Sequence, residues 1–447
     1  MKNHDYKYSS VYSHFKKMIE EGVLAKGDRM PSLLVCAQEL SVSKTTVENA
    51  YFQLLADGYI ISRERSGYYV TGGMVKPREL PKPSSGEQDN CMAQDCRYDL
   101  ATIGDDGDAF RFELWQRYLK SAIRHKERMI TYGEPQGEQE LREAICEYVR
   151  KRRNIYCNPD SIVIGASTQS LLMILLPILK EQGMSTASVP AEGFERFGQV
   201  FRSYGLQVDI RKKESDVIYV SPSHMTVWGK IMSLSRRYEI LEHRKHGHLI
   251  IEDDYQNEFV FAKQGIPSIY ALAGGDHVVY LGSFSRILLP SIRISYMILS
   301  NELAGAYRKV MDLYDQTASK TEQLALCSYL RDEHLYRQIR KLRKIYTVKR
   351  TLLFQVLSDF CKGISDLTIL AGEGGTEMAV KGETGKLQIL KDRLIGHKIC
   401  FREMEDSREN GVQTLLFSCG RIDITDLQEL RDQGGYYETG THCNVCK

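Results

Sequence analysis

Residues 280–300, YLGSFSRILLPSIRISYMILS, hold the densest set of groups suited to one kind of chemistry. An apolar run, Val278–Leu281, leads into Gly282, Ser283, Phe284 and Ser285; Arg286, Pro290 and Arg293 come next, and a second β-rich run follows at Ile294–Leu299. Short hydroxyl donors, exposed amides and a fixed cation at a strand end are what a phosphate site uses. A second segment has the same character. The strand-like Ile162–Ile164 turns through Gly165, Ala166 and Ser167 into Thr168 and Gln169 at a helix start, an anion site by geometry. It has no GxxxxGK[ST] pattern, so it is not a Walker loop. Thr168, His224, Asp253 and Ser283 each stand just after a β-rich run, where they can converge on one crevice.

The elements that must position these groups read as α/β. Near-continuous apolar runs at 162–164, 188–189, 216–220, 248–252, 278–281 and 294–299 alternate with helical patterns such as Phe112–Lys126, Leu141–Arg153 and Ser170–Leu179. That rhythm predicts a mainly parallel sheet covered on both faces. Segments 367–380, 387–394, 399–401 and 414–418 predict a smaller lobe, so an effector domain spans 98–434 with a small subdomain from about 330. The basic stretch QIRKLRKIYTVKR reads as the solvated face of a long helix rather than a second DNA site. Residues 435–447 read as a disordered tail.

Residues 71–97, with Gly72-Gly73, three prolines and Ser84-Ser85-Gly86, form a flexible linker without helical or strand period. Before it, residues 1–70 read helix, helix, turn, helix, hairpin: a winged helix-turn-helix. Ser32 and Ser43 cap the second and third helices, Leu33, Leu34 and Ala37 face inward, and Arg63–Gly67 turns the wing.

The chain of 447 residues carries a net charge of +2, which supplies no bulk electrostatic footprint for nucleic acid. Residues 1–70 hold nine Lys/Arg against eight Asp/Glu, so one head binds DNA weakly and two heads are needed. No long apolar run or signal pattern is present, which predicts a cytoplasmic protein with no membrane partner. The 11 cysteines are expected to stay reduced there. His442-Cys443-x-x-Cys446 has one metal-ligand spacing, but a single pair beside a terminus reads as solvated thiols, as does Cys91/Cys96, and no metal is expected.

The head motifs GDRMPS, SVSKTTVENAYFQLLADGYI and RSGYYV stand in the order of the GntR class, which they resemble. YGEPQGEQELREAI, the Ser167–Gln169 turn, Ser221-Pro222-Ser223-His224, IIEDDYQNEF and SFSRILLPSIRISY resemble the aminotransferase-like domain of the MocR subfamily, GntR regulators whose effector domain has the fold-type I architecture of pyridoxal-phosphate transferases. The likeness runs from about Tyr8 to Phe417. It implies DNA contacts from Ser32, Ser43, Lys44, Thr45 and Thr46 and from Arg63, Arg65 and Gly67 of the wing, double-stranded operator DNA as partner, and a homodimer. It implies pyridoxal 5'-phosphate as cofactor, with Asp253 on the ring nitrogen, Tyr255 on the ring oxygen, Phe194 stacked on the ring, and the Thr168 and Gln169 amides, Ser283, Ser285 and Arg293 on the phosphate. His224 occupies the family's T-P-S-H position, and Arg196 matches an Arg that meets an effector carboxylate.

Two departures matter. The family's Arg after P-S is replaced by Leu33-Leu34, and Arg286 stands at the Schiff-base lysine position, either adding a cation near the phosphate or filling the cavity. An Arg offers no neutral primary amine, so no transaminase turnover is expected and cofactor binding is non-covalent. The substrate-carboxylate Arg is open between Arg402 and Arg421. The alternatives are an aminotransferase using another lysine such as Lys230, and a ligand-binding protein whose head no longer reads DNA.

Overall fold

The computed structural model describes residues 5–71, 96–190, 194–243, 247–262, 265–404 and 411–434. Most of the expected linker, the tail, and Cys91, Cys443 and Cys446 lie outside the described residues. The chain divides into two compact units, Met1–Gln88 and Asp89–Lys447.

In the first unit, α1 (Asp5–Glu20), α2 (Leu33–Glu39) and α3 (Lys44–Ala56) precede an antiparallel hairpin of β1 (Ile60–Arg63) and β2 (Gly67–Val70). Apolar residues at helical spacing make its core: Val11, Phe15 and Ile19 of α1 meet Cys36 of α2 and Val47, Ala50, Tyr51 and Leu54 of α3. Ser32 and Ser43 start their helices by accepting from the Val35 and Thr46 amides at 3.3 and 3.1 Å, caps worth about 1 kcal/mol each. The Tyr51 hydroxyl donates to the Pro31 carbonyl at 3.0 Å and ties α3 to the turn before α2. Leu34 does not face inward: it is 63% exposed. Successive helical residues are about 100° apart, and the inner side of this short helix is taken by Leu33, Cys36 and Ala37.

The second unit opens with β3 (Tyr98–Asp99), α4 (Phe112–Arg124), α5 (Lys126–Met129) and α6 (Gln139–Arg153). Its large sheet is built from β4 (Ile162–Gly165), β5 (Thr186–Val189), β6 (Gln207–Ile210), β7 (Val217–Val220), β8 (Leu249–Asp253), β9 (Val278–Ser283) and β10 (Ser295–Ile298), in the order β4-β10-β9-β8-β7-β5-β6. The run from β9 to β6 is parallel, and β10 is antiparallel to both of its neighbours. Between the strands lie α7 (Thr168–Glu181), α8 (Glu195–Ser203), α9 (Leu234–His243) and α10 (Ile269–Ala273); α11 (Asn301–Arg308), α12 (Lys320–Arg331) and α13 (His334–Cys361) follow. Both strand faces are covered. Ile218, Val220, Ile250 and Tyr280 enter one core, while Val217, Tyr219, Ile251 and Leu281 enter the other, as a period of two requires.

Helix α13 has 28 residues, about 42 Å at 1.5 Å per residue. Its start packs Leu335 and Ile339 into the first core, and its end packs Leu352–Phe360 into a third. That third core belongs to β11 (Thr368–Leu370), β12 (Glu377–Glu383), α14 (Thr384–Gly396), β13 (Ile399–Cys400), β14 (Arg402–Glu403), β15 (Val412–Ser418) and α15 (Ile424–Gly434). Four of these strands form an antiparallel sheet, β11-β12-β15-β14, while β13 pairs in parallel with β3.

Two expectations are corrected here. Cys96 is bonded to Cys400, across 304 residues of sequence, because the β3–β13 pairing brings the two together; they are not both free thiols. The basic residues of α13 are not all a solvated face. Arg343 donates to the Glu258 and Val260 carbonyls, Arg350 holds the Gly374 and Gly375 carbonyls, and Lys349 pairs with Asp106 at 2.8 Å while 1% exposed. Among the described residues no helix is long and apolar enough to cross a membrane.

Candidate functional site

The strand ends do gather the expected groups. Ser295 at the start of β10 pairs with Gly165 on one side and Ser283 on the other, so the α7 N-terminus and the β9–β10 loop share one edge. The Ser295 hydroxyl donates to Ser283 at 3.0 Å, and Ser285 donates to the Ile292 carbonyl at 3.1 Å. Ser167 and Ser170 cap each other and start α7, so Thr168 and Gln169 sit in the first turn with amides unclaimed by the helix. Arg293 is exposed and makes no ion pair or hydrogen bond among the described residues.

One strand over, β8 delivers three acidic residues to three different tasks. Glu252 accepts from the Ile269 and Tyr270 amides and caps α10; burial and Asp254 push its carboxyl up to about 7. Asp254 takes Arg153 at 2.7 Å and the Tyr280 hydroxyl at 2.8 Å. Asp253 accepts from the Tyr219 hydroxyl at 2.5 Å and has no cation partner; burial pushes it up to about 6 against the pull of that hydrogen bond. Phe194, expected to stack on a cofactor ring, stands edge-on to Tyr219 with centroids 6.3 Å apart, and it is Phe197 that stacks on Tyr219, at 4.9 Å. Arg196 is exposed on the first turn of α8.

Arg286 is held by carboxylates, not by the serines. Its Nη1 lies 3.1 Å from Asp105 Oδ1, and its Nη2 lies 3.2 Å from Glu377 Oε1 and 3.4 Å from the Thr376 hydroxyl. With the Gln256 amide oxygen turned toward it, Nε and Nη2 both donate to that oxygen at 2.9 Å. The side chains of Asp105 and Glu377 are each 5% exposed, so this is a buried cluster. Burial drives Asp105 up to about 6, with Arg286 opposing the rise. Tyr255 and His224 stand beside it, their rings edge-on at 5.6 Å. Burial lowers the His224 pKa, and its Nδ1 is without a partner. Gly375, at φ +70°, is obligatory there: a Cβ would meet His224 Cε1 at 2.4 Å and Glu377 Oε2 at 2.9 Å.

In the head, Ser43, Lys44 and Thr45 are exposed at the start of α3, as are Ser32 and the wing residues Arg63 and Arg65. Arg63 lies over the Tyr69 ring at 4.5 Å, and Gly67 takes φ +105° to turn the wing. Thr46 is different. It is 5% exposed, with its hydroxyl 2.8 Å from that of Ser43, so it serves the cap and is withheld from an external partner.

Sequence reasoning missed Asp105, Gln256, Thr376, Glu377 and Tyr219. Gln256 lies inside the quoted IIEDDYQNEF motif, a usable signal; the others carry none locally. Of the two candidate carboxylate-binding arginines, Arg421 is 61% exposed and 3.9 Å from Asp99, while Arg402 lies in β14.

Residues 7–70 match the family of bacterial regulatory proteins of the gntR type, and residues 108–216 and 209–383 match aminotransferase class I and II. The chain is 31% identical over 406 residues to YdeL, an uncharacterised HTH-type transcriptional regulator of Bacillus subtilis (strain 168), covering 86% of this chain and 83% of that one. It is 26% identical to the probable rhizopine catabolism regulatory protein MocR of Rhizobium meliloti, covering 84% and 81%. Among solved structures, a multiple substrate aminotransferase from Thermococcus profundus superposes with a TM-score of 0.65 at 19% identity, over 78% of this chain and 92% of that one, which shows the fold. A gntR-type head joined to a body with the fold of the class I and II aminotransferases, and similarity along most of the chain to regulators of the same build, place this protein in the MocR-type subfamily of GntR transcriptional regulators.

Proposed function

We propose that the protein is a homodimeric, cytoplasmic regulator that binds operator DNA through its heads and pyridoxal phosphate, with a small amine or amino-acid-like effector, through its body, without amino-group transfer. The observation that carries the last clause is Arg286. By the sequence resemblance it stands at the lysine position; it is engaged by Asp105, Glu377 and Gln256, and a guanidinium supplies no neutral amine.

The residues present fit a phosphorylated pyridine. Hydroxyls of Ser283 and Ser285, first-turn amides of α7 and the unpaired Arg293 suit its phosphate. Asp253, buried without a cation partner, suits its ring nitrogen; bound opposite a carboxylate, such a ring serves as an electron sink. Phe194 and Tyr255 suit contacts to the ring and its oxygen, His224 stands beside Tyr255, and Arg196 suits an effector carboxylate. Lys230 is exposed and makes no hydrogen bond or ion pair with Asp253 or Tyr255 among the described residues, which weighs against its replacing the missing amine.

In the head, Lys44 and Thr45 at the α3 N-terminus suit the major groove, with Arg63 and Arg65 on the backbone or minor groove. Ligand binding in the body then shifts the populations of states that place two heads on paired half-sites. The test is a salt series of fluorescence anisotropy on the DNA upstream of the gene, with and without pyridoxal phosphate and amino acids. Sequence-specific binding whose affinity changes with ligand supports the proposal; salt-sensitive binding equal on scrambled DNA, indifferent to ligand, refutes it.

A further inference from the structure

A small cavity of about 180 Å³ lies between α4, α12 and α13, on residues to which the functional reading gives no role. Its lining is Arg111, Leu114, Tyr329, His334, Arg337, Gln338 and Lys341. Three of the seven are permanently or ordinarily cationic, and none is acidic. Leu114, Tyr329 and Gln338 are buried, while Arg111, Arg337 and Lys341 are exposed. This is a mainly apolar floor of Leu114 and Tyr329, with the Gln338 amide set in it, under a cationic rim.

The unmet hydrogen-bonding capacity in it is donor capacity. The Gln338 amide nitrogen is buried and has no partner, although the residue is only 4% exposed. An unsatisfied buried amide costs free energy comparable to a lost hydrogen bond. The Arg111 and Arg337 guanidiniums make no ion pair or hydrogen bond among the described residues. Lys341 is held in place by the Asp108 and Ala109 carbonyls, both at 3.1 Å, which fix it without neutralising it. His334 reports the local field. Burial lowers its pKa first and Arg337 next; Asp332 opposes them, and Arg111 and Arg117 lower it further.

We propose that this cavity binds a small phosphate-bearing anion, inorganic phosphate or a compact phosphate monoester, at a site separate from the cofactor crevice. Two guanidiniums, an ammonium and an amide offer more donors than the two oxygens of one carboxylate can accept, and a phosphate accepts them on several oxygens. The volume is that of about six waters, which admits a phosphate group and a few carbons but not a nucleotide. Arg337, and Lys341 of the basic run that follows it on α13, thereby acquire a use that neither DNA contact nor solvation requires.

The test is calorimetric titration of the full-length protein with inorganic phosphate and glycerol phosphate at fixed ionic strength, in an Arg293→Ala background that disables the phosphate subsite of the cofactor crevice. Saturable binding at one site per chain is expected. Arg337→Glu should weaken it at least tenfold, and Gln338→Leu several-fold. Lys344→Glu, an exposed change on the same helix outside the cavity, should leave it within twofold. Binding that is lost with Arg293→Ala alone would place the anion in the cofactor crevice and overturn the proposal while sparing the proposed function. Equal losses in Arg337→Glu and Lys344→Glu would overturn it as general charge attraction. Displacement of phosphate by random duplex DNA would assign the rim to the nucleic-acid backbone and likewise overturn it.

Discussion

Arg286→Lys supplies an amine where the proposed reading expects a transaminase to need one, and the structure predicts that it destabilises the body instead. Arg286 meets Asp105 and Glu377 with two different terminal nitrogens and Gln256 with a third, and one ammonium on a shorter stem cannot span both carboxylates. Suppose Lys keeps Glu377. Asp105, 5% exposed, then loses its cation. Its carboxyl stands at about 6 in the native protein, so ionising it at pH 7 already costs about 3 kcal/mol relative to an ordinary aspartate. Without Arg286 it takes up a proton instead, which at pH 7 costs about 4.4 kcal/mol. The added loss is therefore about 1.4 kcal/mol if Asp105 neutralises, rising toward about 3–5 kcal/mol if it stays charged and unpaired. The sign with pH follows from a raised carboxyl pKa. The cost accumulates as pH rises above the unfolded value, so at pH 5.5, where native Asp105 is already mostly protonated, the loss through this residue shrinks to about 0.2 kcal/mol. Urea unfolding of the body at both pH values reads this directly. Arg286→Lys should be markedly weaker at pH 7, nearly normal at pH 5.5, and rescued at pH 7 by Asp105→Asn. An Arg286→Lys protein as stable as the parent at pH 7, or one that Asp105→Asn fails to rescue, would refute the reasoning.

Asp253→Asn should act in the opposite direction. Asn still accepts from Tyr219 but removes an ionisation that the buried site disfavours, so stability at pH 7 rises by up to about 3 kcal/mol, with no gain below about pH 4, while pyridoxal phosphate affinity falls. Paired melts and absorbance titrations check both halves. Lys44→Ala should weaken operator binding and reduce the slope of log affinity against log salt by about 1, measured by anisotropy; an unchanged slope removes Lys44 from the DNA contact. After air oxidation of the purified protein, peptide mapping with alkylation and no reductant should recover Cys96 linked to Cys400, with Cys146 and Cys157 alkylated despite their 3.4 Å sulfur separation.

What the sequence revealed was local. The Ser283–Ser285 turn, the Ser167–Gln169 helix start and the capped helices of the head each follow from a few consecutive residues. What it concealed was long-range or a matter of phase. Asp105 and Glu377 reach Arg286 from about 180 residues before and about 90 after it, and only folding brings them there. Tyr219 sits in the apolar run Val217–Val220, where an aromatic reads as core; its ring is core, but its hydroxyl end reaches Asp253. Leu34 faces out of a seven-residue helix, where one residue of phase decides between core and surface, and Thr46, which the resemblance offers to DNA, is buried in the cap of α3. The Cys96–Cys400 link depends on a two-residue parallel strand pair that no local pattern announces.

On the proposed reading a guanidinium stands where the imine-forming amine would be, in a body that still grips a phosphorylated ring. Equilibrium binding of pyridoxal phosphate followed by borohydride reduction and peptide mass mapping tests it most directly. The account predicts saturable binding at one site per chain with no phosphopyridoxyl adduct on any lysine. A stoichiometric adduct, on Lys230, Lys349 or any other lysine, would contradict it.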